Sequence, residues 1–175
     1  MSDLGQPIVL IGMMGAGKTT VGKLLAGAIE RDFVDLDEVV AATAHSTIPA
    51  LFTTEGEAAF REREVAALRS VLQLAEAPVV AAGGGLVTGE VTRALLRSAA
   101  QCVWLRAEPQ TLADRVGSGA GRPLLKGDPI AVLTSLCEAR AQQYDDAADL
   151  VVDVDDRTPA EVVEVLLELL GTAGA

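Results

Sequence analysis

The sequence predicts an α/β fold in which helices cover both faces of a five-stranded parallel sheet. Short apolar runs rich in β-branched residues alternate along the chain with segments whose apolar residues recur at helical spacing. The first run is followed at once by a glycine-rich loop and a helix, the beginning of a strand–helix–strand unit. Strands that are connected through helices in this way run parallel, so we expect ligand-binding residues at their carboxyl ends.

Each predicted strand is a short, mainly apolar run. The first, Ile8-Val9-Leu10-Ile11, is apolar throughout, which is typical of a strand that is buried on both faces. The second ends in carboxylates, and the third leads into three consecutive glycines. The predicted strands are residues 8–11, 32–37, 78–82, 102–105 and 150–152.

Apolar residues three and four positions apart predict the helices. The last helix begins with Thr158-Pro159-Ala160-Glu161, a capping box with proline at the first helical position. The first helix has one predicted apolar face, made of Val21, Leu24, Leu25, Ala28 and Ile29. The others are predicted over 38–44, from residue 48, and over 57–74, 90–99, 109–116 and 128–144.

The chain of 175 residues has 25 acidic and 14 basic residues, a formal net charge of −11. This excess of negative charge argues against nucleic acid and anionic membranes as partners, since both bind basic surfaces. No apolar run is long enough to span a bilayer, and residues 1–7 lack the features of a signal peptide. We expect one monomeric, cytoplasmic domain over residues 1–175, with Cys102 and Cys137 as reduced thiols.

A phosphate-binding loop follows the first predicted strand, because residues 12–19 read G-x-x-x-x-G-K-T. The alternative is a chance match, but the strand before the loop and the helix after it are the ones that this motif requires. Lys18 is expected to reach the β- and γ-phosphates of ATP, and Thr19 to offer its hydroxyl to Mg²⁺. The residues expected to bind the phosphates are Gly15, Ala16, Gly17, Lys18, Thr19 and Thr20.

Asp35 and Asp37 end the second predicted strand, and a spacing of two places their side chains on one strand face. We interpret Asp37 as the carboxylate that acts on the substrate. Asp35 is interpreted as a partner of Mg²⁺ through water, because the third strand ends in glycines where an acidic residue is usual. The alternative is a solvated strand end or a cap of the following helix.

The three glycines at 83–85 allow a ligand to approach bare backbone amides, although a tight turn that needs positive φ is a strong alternative. Arg61 and Arg140 are single arginines on predicted helices. Such residues more often form surface ion pairs than ligand contacts, and Glu57 and Glu64 lie close to Arg61 in the sequence.

Residues 117–127 contain four glycines and one proline, which excludes a stable regular element. We expect this segment to be a mobile lid. Arg122 lies within it and is expected to swing over the transferring phosphates, the alternative being a solvated loop charge.

These residues together resemble the shikimate kinase family, small P-loop kinases of aromatic amino-acid biosynthesis, over about residues 7 to 170. The phosphate loop alone is generic, and the specific part is the ordered set of motifs that accompany it. That set is Asp35-x-Asp37, Phe52-x3-Gly56-Glu57-x2-Phe60-Arg61, Gly83-Gly84-Gly85, Arg122-Pro123-Leu124-Leu125, Arg140 with Tyr144, and Arg157 before Pro159.

The resemblance implies the P-loop kinase fold with strand order 2-3-1-4-5, and ATP-dependent phosphorylation of the 3-hydroxyl of shikimate with Mg²⁺ as cofactor. It implies that Lys18, Asp37 and Arg122 are catalytic. Arg115 and Arg157 would flank the adenine, with Arg122 on the ATP. The substrate would be held by Asp37, Arg61, Gly83, Gly84, Gly85 and Arg140.

Three other functions remain open at this point. A related kinase for another hydroxy acid, such as gluconate, would not need the set of Asp37, Arg61 and Arg140. A nucleotide-dependent switch or binding module would need neither substrate arginines nor a lid that closes over phosphates. A structural α/β domain with a chance phosphate loop would not bind ATP.

We predict that Lys18→Ala abolishes nucleotide turnover and leaves the fold intact, because the variant loses the charge that faces the phosphates. The measurement is ADP release, with circular dichroism as the check of folding. Turnover like that of the wild type would remove the assignment of the phosphate loop.

Overall fold

The computed structural model describes residues 5–117 and 127–172. Its strands are β1 (Ile8–Ile11), β2 (Phe33–Asp35), β3 (Val79–Ala81), β4 (Gln101–Arg106) and β5 (Leu150–Asp153). Its α-helices are α1 (Lys18–Ala28), α2 (Leu36–Ala44), α3 (Ile48–Thr54), α4 (Gly56–Leu72), α5 (Glu90–Ala99), α6 (Pro109–Val116), α7 (Pro129–Ala147) and α8 (Pro159–Thr172). A short 3₁₀ turn, Leu86–Thr88, precedes α5.

The five strands form one parallel sheet in the order β2-β3-β1-β4-β5, which confirms the predicted topology. β1 lies at the centre, and its Leu10 pairs with Ala81 of β3 and with Val103 of β4. All parallel neighbours end at the same edge of the sheet. The loop after β1 and the glycines after β3 are therefore adjacent in space.

The core lies on both faces of the sheet. Every residue of β1 and β3 is buried, as the unbroken apolar runs predicted. Helices α1 and α8 contact each other, and helix α5 contacts both α4 and α7. None of the described helices is long and apolar enough to cross a membrane.

The predicted apolar face of α1 is wrong in two positions. Leu24 is 47% exposed and Ala28 is also exposed, whereas Val21, Gly22, Leu25 and Ala26 are buried. Gly22 permits this orientation, since a Cβ there would lie 2.5 Å from the Phe33 ring. The helix therefore packs on the sheet through small residues that a count of large apolar side chains overlooks.

The second predicted strand is shorter than expected. β2 ends at Asp35, and α2 begins at Leu36. The Asp35 carboxylate accepts a hydrogen bond from the backbone N–H of Asp37 at 3.1 Å and so caps α2. The placement of Asp35 and Asp37 on one strand face is thus wrong, and Asp35 has the capping role that was the alternative.

Most other predicted elements are confirmed, with shifts of a few residues at their ends. The capping box of α8 is present, because Glu161 Oε2 accepts from the Thr158 N–H at 2.7 Å and Thr158 Oγ1 accepts from the Glu161 N–H at 3.3 Å. Helix α7 extends to Ala147, beyond the predicted end at 144. The proposed lid lies almost entirely outside the described residues.

Leu25→Ala is expected to lower the free energy of unfolding by about 2–5 kcal/mol, because the side chain is fully buried and its loss leaves a cavity. Leu24→Ala on the same helix is the matched control and is expected to cost about 1 kcal/mol at most, since Leu24 is 47% exposed. Urea unfolding measures both. Equal losses would contradict the described orientation of α1.

Candidate active site

A cleft of about 640 Å³ lies at the carboxyl ends of β1, β2 and β3. It contains the phosphate loop, both predicted carboxylates and two of the three consecutive glycines. Its lining residues are Met14, Gly15, Ala16, Gly17, Lys18, Thr19, Thr20, Val21, Asp35, Asp37, Ala81, Ala82, Gly83, Gly84, Arg115, Val154, Arg157, Pro159 and Val162. The cleft is where a parallel sheet is expected to bind ligands.

The phosphate loop joins β1 to α1 through residues with unusual backbone angles. Gly15 and Gly17 have φ of +85° and +91°, which L-amino acids with side chains rarely adopt. α1 begins at Lys18, so its N-terminus points at the cleft and favours an anion there. The Lys18 ammonium donates to the carbonyl oxygens of Gly12 at 2.7 Å and Met13 at 2.9 Å. The loop therefore has the backbone and the cation that a bound phosphate needs.

Thr19 and Asp35 meet at one side of this loop. The Thr19 hydroxyl donates to Asp35 Oδ2 at 3.1 Å, and Asp35 Oδ1 is the oxygen that caps α2. A hydroxyl and a carboxylate are hard oxygen donors of the kind that Mg²⁺ prefers. Within residues 5–117 and 127–172, no three His, Cys, Asp or Glu side chains are grouped to hold a metal ion. The pair therefore fits an ion held mainly by water and nucleotide phosphates.

Asp37 lies in the first turn of α2 and lines the same cleft. A Cβ on Gly83 would lie 3.0 Å from Asp37 Oδ1 and 3.0 Å from Glu64 Oε1. The two carboxylates thus approach the same glycine from different helices. Their proximity raises the pKa of Glu64, in addition to the larger effect of its burial.

The chain turns tightly at the glycines at 83–85, with the Leu86 N–H donating to the Gly83 carbonyl at 3.1 Å, but none of the three has positive φ, so that need does not explain them. Gly84 is in contact with the phosphate loop, since a Cβ there would lie 3.3 Å from the backbone nitrogen of Met14. Its carbonyl oxygen accepts from Arg140 Nη1 at 3.0 Å and from the Tyr144 hydroxyl at 2.6 Å. These contacts tie α7 to the end of β3.

Arg61 forms the ion pairs that were its alternative role. Its guanidinium donates to Glu64 Oε2 at 2.5 Å and to Glu57 Oε1 at 3.1 Å. Burial raises the pKa of Glu64, and the charge of Arg61 opposes this rise only in part. Burial has the larger effect because the Glu64 side chain is 1% exposed, whereas that of Arg61 is 21% exposed. The pair is therefore half-buried on the arginine side and fully buried on the carboxylate side.

Arg140 is buried on α7, with 7% of its surface exposed. A surface ion pair, its alternative role, is excluded by this burial. Besides the Gly84 carbonyl, its Nη1 lies 3.9 Å from the sulfur of Met13, a residue of the phosphate loop. A buried guanidinium beside a ligand cleft is costly without a partner anion, and a ligand carboxylate can supply part of that compensation.

The family model for shikimate kinase matches residues 14–171. The shikimate kinase of Bordetella pertussis is 43% identical over 165 residues, which are 94% of this chain and 78% of that relative. The shikimate kinase of Neisseria gonorrhoeae is 40% identical over 171 residues, covering 97% of this chain and 99% of the relative. The chain belongs to the shikimate kinase family.

The fold of the chain agrees with this membership of the shikimate kinase family. The structure of a shikimate kinase from Acinetobacter baumannii in complex with shikimate superposes with a TM-score of 0.91. That protein is 32% identical, and the match covers 95% of this chain and 93% of the other.

The structure brings most of the predicted site residues into one place. The phosphate-loop residues, Asp35, Asp37, Gly83 and Gly84 line the cleft, and Arg115 and Arg157 line its other end. Arg115 donates to the carbonyl of Val154 at 2.9 Å, and Arg157 donates to the carbonyl of Asp153. Three predicted substrate residues, Arg61, Gly85 and Arg140, do not line the cleft. They lie next to residues that do. Arg122 lies outside the described residues.

Two features of this shikimate kinase site were not assigned from the sequence. Val154 and Val162 line the cleft, but an apolar residue just after a strand or on a helix face gives no sequence signal for a ligand site. Glu64 was considered only as an ion-pair partner, although it occupies an apolar position of α4. It lies on the buried stripe with Phe60 and Leu68, four residues away on each side. The sequence signal that could have identified Glu64 is a charged residue at a position where the helical spacing predicts an apolar one.

The raised pKa of Glu64 gives a pH-dependent stability. The native state binds this proton more tightly than the unfolded chain, so the stabilisation is fully present below the ordinary value of 4.5 and is lost as pH rises through the native pKa. We expect the free energy of unfolding of the wild type, relative to Glu64→Gln, to fall as the pH rises above 4.5.

Urea unfolding across this pH range is the measurement. Glu62→Gln removes an exposed carboxylate from the same helix and controls for the change in net charge. A constant difference between the wild type and Glu64→Gln at every pH would contradict the described burial of Glu64.

Proposed function

We propose that this chain transfers the γ-phosphoryl group of ATP to the 3-hydroxyl of shikimate and forms shikimate 3-phosphate. The observation that carries the proposal is the position of Asp37, which lines the same cleft as the phosphate loop. An acceptor carboxylate and a phosphate-binding loop in one cavity are what a small-molecule kinase needs. Membership of the shikimate kinase family supports the identity of the substrate.

ATP is proposed to bind through its phosphates to the backbone N–H groups of the phosphate loop and to Lys18. Residues Gly15 to Thr20 all line the cleft, which supports this placement. Arg115 and Arg157 line the cleft where residues of α6 and of the β5–α8 loop meet. We place the adenine between them, because guanidinium planes stack well on aromatic rings. Arg122 is proposed to contact the phosphates during transfer.

Mg²⁺ is proposed to bind beside Thr19, with Asp35 as a partner through water. The hydrogen bond between their oxygens supports the assignment, because both atoms then face one point next to the phosphate loop. When bound, the ion supplies positive charge that stabilises the transferring phosphoryl group. Asp35 also caps α2, so its orientation is fixed before any ligand binds.

Asp37 is proposed to accept a hydrogen bond from the 3-hydroxyl of shikimate and then to take its proton. The hydroxyl oxygen forms a bond to the γ-phosphorus, the bond from that phosphorus to the bridging oxygen of ADP breaks, and the proton on Asp37 passes to solvent. Lys18 and Arg122 stabilise the charge that develops on the phosphoryl oxygens.

Arg61 and Arg140 are proposed to bind the shikimate carboxylate beside the glycines at 83–85. Both guanidinium groups adjoin this turn, Arg140 through the Gly84 carbonyl and Arg61 through contact with Gly85. A planar guanidinium can form two parallel hydrogen bonds to a carboxylate. The ion pairs with Glu57 and Glu64 leave Arg61 this capacity. Each glutamate accepts one hydrogen bond from one terminal nitrogen, and a terminal guanidinium nitrogen carries two hydrogens.

The test of the substrate is ADP release with ATP, Mg²⁺ and a panel of hydroxy acids that includes shikimate, quinate and gluconate. We expect turnover with shikimate to exceed turnover with gluconate by roughly 10³-fold or more, because gluconate lacks the ring that presents the hydroxyl and the carboxylate together. Preference for gluconate would favour the related kinase. ATP binding without any stimulation of turnover would favour a switch or binding module.

Asp37→Asn keeps the shape of the side chain and loses its basicity, so kcat is expected to fall by roughly 10²-fold or more. Asp35→Asn is the matched control at the same edge of the cleft. It is expected to raise the Mg²⁺ concentration needed for half-maximal activity, with a smaller change in kcat at saturating Mg²⁺. Steady-state kinetics over a series of Mg²⁺ concentrations separates the two, and interchangeable phenotypes would contradict the assigned roles.

A further inference from the structure

Gly85 lies at the end of the three consecutive glycines, and its backbone does not require glycine. Its φ of −98° and ψ of −2° are angles that residues with side chains also adopt. Backbone strain therefore does not account for a glycine at this position. Gly85 also does not line the cleft.

The space beside Gly85 is filled by the guanidinium group of Arg61. A Cβ at this position would lie 2.6 Å from both Cζ and Nη1 of Arg61, and nearer still to Nη2. Real Cβ atoms do not approach other heavy atoms within 3.0 Å. Any side chain at position 85 therefore competes with the guanidinium for the same volume.

Arg61 cannot leave this volume without losing its partners. Its Nη1 donates to Glu64, which is 1% exposed, and its Nη2 donates to Glu57. Glu64 Oε1 has no hydrogen-bond partner among the described residues, so the ion pair with Arg61 compensates this carboxylate together with the nearby charge of Arg140. A displaced guanidinium would leave Glu64 buried with less compensation.

The other two glycines differ in what they meet. A Cβ on Gly83 would lie at 3.0 Å from the carboxylates of Asp37 and Glu64, and one on Gly84 would meet the backbone of Met14. At Gly85 the contact is the end of a long, flexible side chain, which can move while the backbone stays in place. A methyl group there is thus expected to displace Arg61 rather than to disrupt the turn.

We propose that Gly85 is a positioning residue that reserves the volume of the Arg61 guanidinium. It contributes to recognition of the substrate carboxylate through the absence of a side chain. This inference rests on the proposed function, in which Arg61 binds the carboxylate of shikimate.

The test is a double-mutant cycle of the wild type, Gly85→Ala, Arg61→Ala and Arg61→Ala/Gly85→Ala, with KM for shikimate and for ATP. Gly85→Ala is expected to raise KM for shikimate roughly 10- to 150-fold, the loss expected for one charge-assisted hydrogen bond, with kcat and KM for ATP changed by less than about 3-fold. In the Arg61→Ala background, Gly85→Ala is expected to change KM for shikimate by less than about 2-fold.

Gly27→Ala is the matched control, because a Cβ there meets nothing within 4 Å and the residue lies outside the site. It is expected to keep the kinetics of the wild type. The inference is overturned if Gly85→Ala leaves KM for shikimate unchanged, or if it raises KM equally in both Arg61 backgrounds.

Folding of the variants is also informative. If Gly85→Ala fails to fold and the double variant folds, the clash with Arg61 is supported; if both fail, the inference is overturned.

A crystal structure of Gly85→Ala is the readout that does not depend on turnover. Displacement of the guanidinium from Glu64 supports the inference, and an unmoved guanidinium overturns it. Absence of any shikimate turnover in the wild type would instead overturn the proposed function.

Discussion

The parallel pairing of β1 with β3, with Leu10 opposite Ala81, is the constraint on which the site depends. Both strands end at one edge of the sheet, so the phosphate loop and the glycines at 83–85 begin side by side. The contact between Gly84 and the backbone of Met14 follows directly from that pairing. β2 pairs with the other edge of β3 and delivers Asp35 and the start of α2 to the same place. The groups that we propose to bind the phosphates and the acceptor therefore share one cleft because of strand order.

The buried charges behind this edge form one connected group. Arg140 and Tyr144 both donate to the Gly84 carbonyl, and Glu64 approaches Gly83 while it holds Arg61. Arg140 and Glu64 are thus kept out of water, and Arg61 is half-buried, in a chain with a net charge of −11. Such an arrangement adds little to stability, since desolvation offsets much of the attraction between the charges. Its value lies in holding two guanidinium groups in fixed positions beside the cleft.

The sequence predicted the strands, the phosphate loop and most of the cleft, because each has a local pattern, whereas the strand order was implied by the resemblance to the shikimate kinase family. The Gly-x4-Gly-Lys-Thr loop and the unbroken apolar run of β1 are examples. It did not predict that Asp37 lies on a helix, since the capping bond from Asp35 depends on one side-chain rotamer. Positive φ, the alternative explanation of the glycines at 83–85, is also wrong, because at Gly85 the constraint is space. That constraint comes from Arg61, 24 residues earlier in the chain, and only the folded structure brings the two together.

The central claim is that Asp37 directs phosphoryl transfer to one hydroxyl of shikimate. The most direct measurement is ¹H–³¹P correlation NMR of the product formed from ATP, Mg²⁺ and shikimate. The account predicts a single new phosphorus resonance that is coupled to the proton on carbon 3, and predicts its loss in Asp37→Asn. Phosphorus on another carbon, or inorganic phosphate as the sole product, would contradict the claim.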